Sequence, residues 1–361
     1  MSLREKLFSY RNPYDTKGSE RLFIDAVREN TAFHMINCKE FVAICKSRGF
    51  SADELNDIDD LYKIPVIPTL FFKKHKLMSM PEKRMRIKAT SSGTKGLKSH
   101  IEFDALGLYC GFKMVMRTTG YHKLLSLKPV NYIILGYQPN RTNKTAVSQT
   151  AFGATFFAPA LHREYALKYD KGSYRLDMEG LKEALLRYGR LPFPVRFMGF
   201  PSYTYFFLNE LKKDGIRLKL PKGSRILLGG GWKQFYTERV EKEVLYALAE
   251  EVLGIPESAC TEFFGAVEHP ILYTDCKCHH FHIPVYSRVI IRDVNTLMPV
   301  ENGKAGLVNL ITPMVASVPL TSVMTDDIGI LHNAEECSCG IDSPFLEIIG
   351  RVGIRDIKRC G

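Results

Sequence analysis

Apolar positions along the chain recur at two different spacings, and the alternation between them outlines the elements. Near the N-terminus, spacing of three and four residues predicts an amphipathic helix over about Ser19–Glu29. A second follows from about Thr31 to Arg48, where Gly49 supplies a C-terminal stop. The segment KIPVIPTLFF is punctuated by proline and reads as extended. Continuous apolar runs then alternate with helical patterns. Val130–Tyr137 (VNYIILGY) reads as a buried strand and Asp177–Gly189 as a helix. Pro194–Phe200 (PVRFMGF) reads as a strand, and Pro201–Gly215 as a helix with proline in its first turn. SRILLGG is a further strand, and YTERVEKEVLYALAEEVLG a further helix. Strands alternating with helices predict an α/β fold with a largely parallel sheet. Beyond about residue 270 the pattern becomes short strands separated by Gly and Pro: HIPVYSRVIIRDV, AGLVNLITP, DDIGIL and FLEIIGRV. The expected organisation is an α/β region over 1–270 and a β-rich subdomain over 271–361.

A chain of 361 residues, 45% hydrophobic and 25% charged, can bury a sizeable core. The net charge of +11 suits polyanionic ligands. The densest basic runs, FFKKHK and EKRMRIK, accompany no nucleic-acid-binding module, and a solvated face accounts for them. No apolar run approaches the ~18 residues of a membrane span. The start MSLREKLFSY lacks a signal-peptide core, so a cytoplasmic protein with reduced cysteines is expected.

The chemistry concentrates first in Arg86–Glu102, RIKATSSGTKGLKSHIE. Glycines let backbone N–H groups converge on an anion, hydroxyls add neutral donors, and Lys95 and Lys98 add charge. The spacing is not that of a Walker A loop: two residues separate Gly93 from Gly96, and Lys98 does not follow a glycine. On composition alone the segment is a phosphate cradle or a polar surface loop.

Other segments decide between these. TSSGTKGLKS (Thr90–Ser99) resembles the Ser/Thr/Gly-rich signature of adenylate-forming enzymes. GFPSYTYFF is similar to that superfamily's Gly-x-Pro-Ser turn, and LLGGG (Leu227–Gly231) to the glycine-rich strand end beside adenine. FFGAVEHP (Phe263–Pro270) is similar to its Y-G-x-T-E motif, TDD (Thr325–Asp327) to T-G-D, and GRVGIRDIK (Gly350–Lys358) to its Gly-Arg hinge. The segments occur in the superfamily's order. IPVIPTLFFK, TSSGTKGLKS, GGGWK and the ending RDIKRCG resemble the acyl-protein synthetases of bacterial bioluminescence, which are long-chain fatty acid–protein ligases. CSCG is also similar to phenylacetate–CoA ligases.

The resemblance implies the N-terminal region of an adenylate-forming fold, with the usual C-terminal domain and its lysine absent. It implies ATP and Mg2+ as cofactors and a fatty or aryl carboxylic acid as substrate. Thr90, Ser91, Ser92, Gly93, Thr94, Lys95, Gly96 and Ser99 would hold the β- and γ-phosphates. Gly229, Gly230, Gly231, Phe264 and Gly265 would flank adenine, Glu268 would hold magnesium, and Asp327 and Arg351 would reach the ribose. Val267 replaces the motif threonine, Phe264 the motif tyrosine, and Leu97 a common proline. Lys233 is the candidate cation for the transition state, with a solvated lysine as its plain alternative. Cys360, beside Lys358 and Arg359, would accept the acyl group and pass it to a protein or carrier thiol, such as that of an acyl reductase. An aryl- or acyl-CoA ligase of the phenylacetate–CoA ligase type would bypass Cys360, and a degenerate, non-catalytic nucleotide or partner binder is the other alternative.

The nine cysteines include CKCHHFH (Cys276–His282) and CSCG (Cys337–Gly340). Two C-x-C pairs with neighbouring histidines in a reducing compartment suggest structural zinc on Cys276, His282, Cys337 and Cys339. Cys278, His279 and His280 could substitute, and two metal-free hairpin turns are the alternative.

Overall fold

The computed structural model of the chain describes residues 1–90, 99–140, 151–232, 235 and 238–352. The chain divides into two compact units that are not continuous in sequence: residues 1–121 pack with residues 265 onward, and residues 122–264 form the other unit. The change of pattern near residue 270 lies close to the second crossing. The grouping of the N-terminus with the C-terminal strands leaves no trace in the pattern.

The first unit opens with α1 (Leu3–Phe8), α2 (Glu20–Asn37) and α3 (Lys39–Ser47). α1 starts in a capping box, with the Ser2 hydroxyl accepting from the Glu5 amide and the Glu5 carboxylate accepting from the Ser2 amide. The helix break expected near Asn30 falls instead at Cys38, whose backbone is extended. The reason is tertiary. Asn30, Thr31 and His34 lie on the buried face of α2, where an amphipathic reading expects apolar residues. Asn30 Nδ2 donates to Val315 O at 3.0 Å and its Oδ1 accepts from Thr321. His34 lies 2.7 Å from the Ser79 hydroxyl and 3.2 Å from the Val315 carbonyl. These polar contacts satisfy groups that would otherwise be stranded, and they hold the N-terminal helices to the segment between two late strands.

β1 (Ile67–Pro68) leads into α4 (Thr69–Lys74), and β2 (Met85–Thr90) pairs antiparallel with β3 (His100–Asp104) before α5 (Ala105–Tyr121). The second unit then builds β4 (Val130–Tyr137), β5 (Ala160–Asp170), β6 (Ser173–Leu176) and α6 (Met178–Gly189). It continues with β7 (Val195–Gly199), α7 (Pro201–Lys213), β8 (Arg225–Gly229), α8 (Lys242–Leu253) and β9 (Cys260–Ala266). Its sheet runs β9-β8-β7-β4-β5-β6, parallel except for the β5–β6 edge pair. α8 begins at Lys242, later than the helical pattern suggests, because Glu241 enters it in extended conformation. The helices bury Leu181, Leu185, Phe207, Leu211, Leu245 and Val252 against Ile133, Phe197 and Ile226 of the strands. At the end of β7 a Cβ on Gly199 would lie 2.6 Å from the Leu135 Cβ, so only glycine allows β4 and β7 to approach there.

The chain returns to the first unit with β10 (His269–Thr274), β11 (Phe281–His282), β12 (Arg288–Arg292), β13 (Ala305–Ile311), β14 (Ser322–His332) and β15 (Phe345–Arg351). The order β11-β15-β14-β13-β12 is antiparallel, and β1 lies parallel to β14. No helix among the described residues is long and apolar enough to cross a membrane.

Two measurements check this packing. Gly199→Ala should lower the urea midpoint by the equivalent of about 1–3 kcal/mol through overpacking. Gly153→Ala, where a Cβ meets nothing within 4 Å, should change it little. Burial pushes the His34 pKa down to about 3 from an ordinary 6.5. The neutral form is therefore the folded form, and the stability it secures is present above pH 6.5 and lost as pH falls toward 3. Between pH 7 and pH 5 this residue alone should remove about 2 kcal/mol of stability. His34→Gln should flatten that pH slope by the same amount, and an unchanged slope would contradict the assignment.

Candidate nucleotide and metal sites

Many of the expected residues lie in the first unit. β2 ends at Thr90 and β3 begins at His100, with Thr90 opposite His100 and Ala89 opposite Ile101 in the ladder. The Ser/Thr/Gly-rich segment therefore joins two antiparallel strands, unlike a Walker A loop, which runs from strand to helix. Ser91, Ser92, Gly93, Thr94, Lys95 and Gly96 lie outside the described residues, as do Lys233 and Cys360. Ser99, where the description resumes, is fully buried, and its hydroxyl donates to Glu268 Oε1.

Glu268 sits on the turn between β9 and β10 and is only 5% exposed. The residue after it anchors the turn from below. His269 Nε2 lies 3.0 Å from the Ser287 hydroxyl and 3.1 Å from the Tyr273 hydroxyl, and those two hydroxyls are 2.7 Å apart. Burial pulls the His269 pKa down to about 3, so this anchor is neutral. A carboxylate and a hydroxyl are thus presented side by side by the turn and the end of the loop, an arrangement of hard oxygen donors suited to Mg2+. Val267, beside them, offers no hydroxyl.

Asp327 and Arg351 are brought face to face, as cross-strand partners of β14 and β15. Arg351 Nε lies 3.8 Å from Asp327 Oδ1, and its Nη2 lies 3.4 Å from Asp326 Oδ2. Asp326 was not singled out from the sequence, although it adjoins Asp327 in TDD. The Arg351 side chain is about half exposed, and an ion pair of this kind contributes about 0–1 kcal/mol. A ligand hydroxyl can therefore replace one of its contacts at small cost.

In the second unit, Gly229 pairs with Phe263 at the C-terminal end of β8, and Phe264 follows at the corresponding end of β9. Gly230 and Gly231 have φ of 83° and 68°, so the chain leaves β8 through two left-handed residues. Phe264 is half-buried there, and Phe263 meets Phe157 edge to face at 6.4 Å. The C-terminal ends of adjacent parallel strands are where open α/β sheets bind ligands. Gly265 belongs to the first unit, at the exposed end of β9.

The cysteine motifs also converge in the first unit. Cys276, His282, Cys337 and Cys339 place their donor atoms within 4.8 Å of one another. The named substitutes stand beside this group. His279 lies 2.8 Å from Asp275, half-exposed Cys278 lies 3.4 Å from the Ser338 hydroxyl, and His280 Nδ1 lies 3.2 Å from Cys337 Sγ. His280 and His332 stack on Phe345, at 4.2 and 4.7 Å between ring centres.

Against known proteins, the family model described as "Acyl-protein synthetase, LuxE" matches residues 8–361. The chain is 26% identical over 344 residues to the long-chain-fatty-acid–luciferin-component ligase of Aliivibrio fischeri, covering 92% of this chain and 85% of that protein. It is 24% identical over 332 residues to the ligase of the same name from Vibrio harveyi, covering 91% and 83%. Its fold is similar to the crystal structure of 2-hydroxyisobutyryl-CoA ligase in the postadenylation state, with a TM-score of 0.70 at 12% identity, covering 95% of this chain and 69% of that one. A long-chain-fatty-acid-CoA ligase from Archaeoglobus fulgidus matches with a TM-score of 0.51 at 13% identity, over 75% of this chain and 52% of the other. With a family model spanning nearly all of its length and the fold of adenylate-forming ligases, the chain belongs to the LuxE acyl-protein synthetase family.

Proposed function

We propose that this protein activates a long-chain fatty acid with ATP and passes the acyl group through Cys360 to a thiol of a partner protein. The observation that carries the reading is the contact between Ser99, at the end of the hydroxyl-rich segment, and the buried Glu268. Family membership and the substrate named for the curated relatives support the acid. The carboxylate oxygen attacks the α-phosphorus of ATP, the bond to the bridging oxygen breaks, and pyrophosphate leaves with its electron pair. Both reactants are anionic, so the protein's work is to neutralise charge and to align them. Hydroxyls and lysines of residues 90–99 would hold the leaving phosphates. Mg2+, held by Glu268, would offset charge on the phosphate oxygens. Asp327 and Arg351 would fix the ribose, and Gly229–Gly231 with Phe264 the adenine. Lys233 would supply a further positive charge.

In the second half-reaction the Cys360 thiolate attacks the acyl carbonyl carbon, the carbon–oxygen bond to AMP breaks, and AMP leaves. The thioester is then exchanged onto the partner's thiol, for which an acyl reductase or carrier protein is the fitting class.

Glu268→Gln keeps the side-chain size and removes its charge. It should lower the rate of adenylation about 100-fold or more, the kinetic equivalent of the few kcal/mol that charge compensation contributes, with an unchanged melting curve. Near-normal adenylation would remove Glu268 from the site. Cys360→Ser should still form acyl-adenylate yet build no hydroxylamine-labile acyl-enzyme from labelled fatty acid. Wild-type labelling of the variant would show that Cys360 is not the acceptor, and acyl transfer to free CoA by both proteins would favour a CoA ligase instead.

A further inference from the structure

We propose that Cys276, His282, Cys337 and Cys339 hold one zinc ion, which clips together the two loops that carry them. The four residues come from two segments far apart in sequence. Cys276 and His282 flank the turn between β10 and β11, and Cys337 and Cys339 lie in the connection between β14 and β15. Their donor atoms nevertheless fall within 4.8 Å of one another. The Sγ atoms of Cys276 and Cys337 are 3.7 Å apart, and Cys339 Sγ is 3.2 Å from His282 Nε2. Tetrahedral zinc with bonds of about 2.3 Å to sulfur sets its thiolates about 3.8 Å apart, so this spacing needs little adjustment.

The surroundings prepare three of the four groups to be ligands. His282 Nδ1 lies 2.7 Å from the Ser343 carbonyl oxygen, which can only accept. The ring proton is therefore on Nδ1, and the Nε2 lone pair points at the cluster. The amide of Cys278 donates to Cys276 Sγ, and the amide of Ile341 donates to Cys339 Sγ, both at 3.3 Å. Each C-x-C pair thus turns a backbone N–H onto its own first or second sulfur, which stabilises a thiolate. Tyr14, Ile341 and Phe345 close an apolar wall around the group.

Three thiolates and one imidazole, all supplied by the protein, select zinc over hard cations and leave no coordination position open. The ion is therefore structural. It would bridge residues separated by about 60 positions, and it sits beyond the ends of β10 and β15 opposite those near Glu268 and Arg351. This assignment does not depend on the adenylation chemistry.

Protein purified without added metal should contain about one zinc per chain by elemental analysis, bound tightly enough to survive dialysis. Cobalt exchanged into the wild-type protein should give the intense visible bands of tetrahedral Co2+ and thiolate-to-metal charge transfer in the near ultraviolet. Cys278→Ser should keep the full stoichiometry, whereas Cys339→Ser should lose most of it. Stripping the metal with a chelator should accelerate amide hydrogen exchange over residues 276–282 and 333–345 and leave residues 130–264 unchanged. The cobalt spectrum needs no variant and so tests the site even where Cys339→Ser fails to fold. Zinc below about a tenth per chain with no tetrahedral cobalt spectrum would overturn the proposal. So would another metal at full occupancy, or a Cys276–Cys337 disulfide found in its place. Unchanged exchange over 276–282 and 333–345 after metal removal would overturn the clip.

Discussion

A buried carboxylate is the constraint on which the candidate site rests. Taking Glu268 out of water costs several kcal/mol unless donors or a cation replace the lost hydration. The fold meets that cost with the Ser99 hydroxyl, so the end of the hydroxyl-rich segment is held against the β9–β10 turn. The turn itself is fixed one residue later by the neutral His269 and its two hydroxyl partners. A position of this kind is costly to keep for stability alone. It is suited to a divalent cation, whose charge would offset that of the carboxylate.

The same unit treats its other charged pair in the opposite way. Asp327 and Arg351 face each other across two strands at the surface, where the pair is weak and exchangeable. Burial for the carboxylate proposed to hold metal and an open, easily exchanged pair proposed to meet the ribose follow one rule. Charge that must stay in place is desolvated and bonded, and groups that must release and rebind are left in water. The cysteine cluster extends that logic to the loops beyond β10 and before β15, where a cation would hold together two segments about 60 residues apart in sequence.

How much of this was legible in the chain depended on whether side chains or backbone carried the information. The parallel strands β4, β7 and β8 were readable because burial on both faces leaves continuous apolar runs. β5 and β6 were not, since an edge pair with mixed exposure shows neither continuous nor alternating apolar residues. α5 escaped notice as well: Tyr109, Phe112 and Met116 are exposed on it, which blurs the amphipathic stripe. The break in α2 was misplaced because Asn30 and His34 are polar yet face inward, toward partners some 280 residues away. The four cysteine and histidine residues picked out by spacing do come together in the fold. The Ser343 carbonyl that orients His282 could not be picked out, because a backbone acceptor has no letter in the sequence.

The reading of the whole molecule as an acid-activating enzyme rests on the first half-reaction, which needs neither Cys360 nor a partner. The most direct test is exchange of labelled pyrophosphate into ATP by the wild-type protein, across carboxylic acids of increasing chain length. The account predicts exchange that requires both Mg2+ and acid and that is strongest with long-chain fatty acids. Exchange with none of the acids, from protein that is folded and binds ATP, would contradict it.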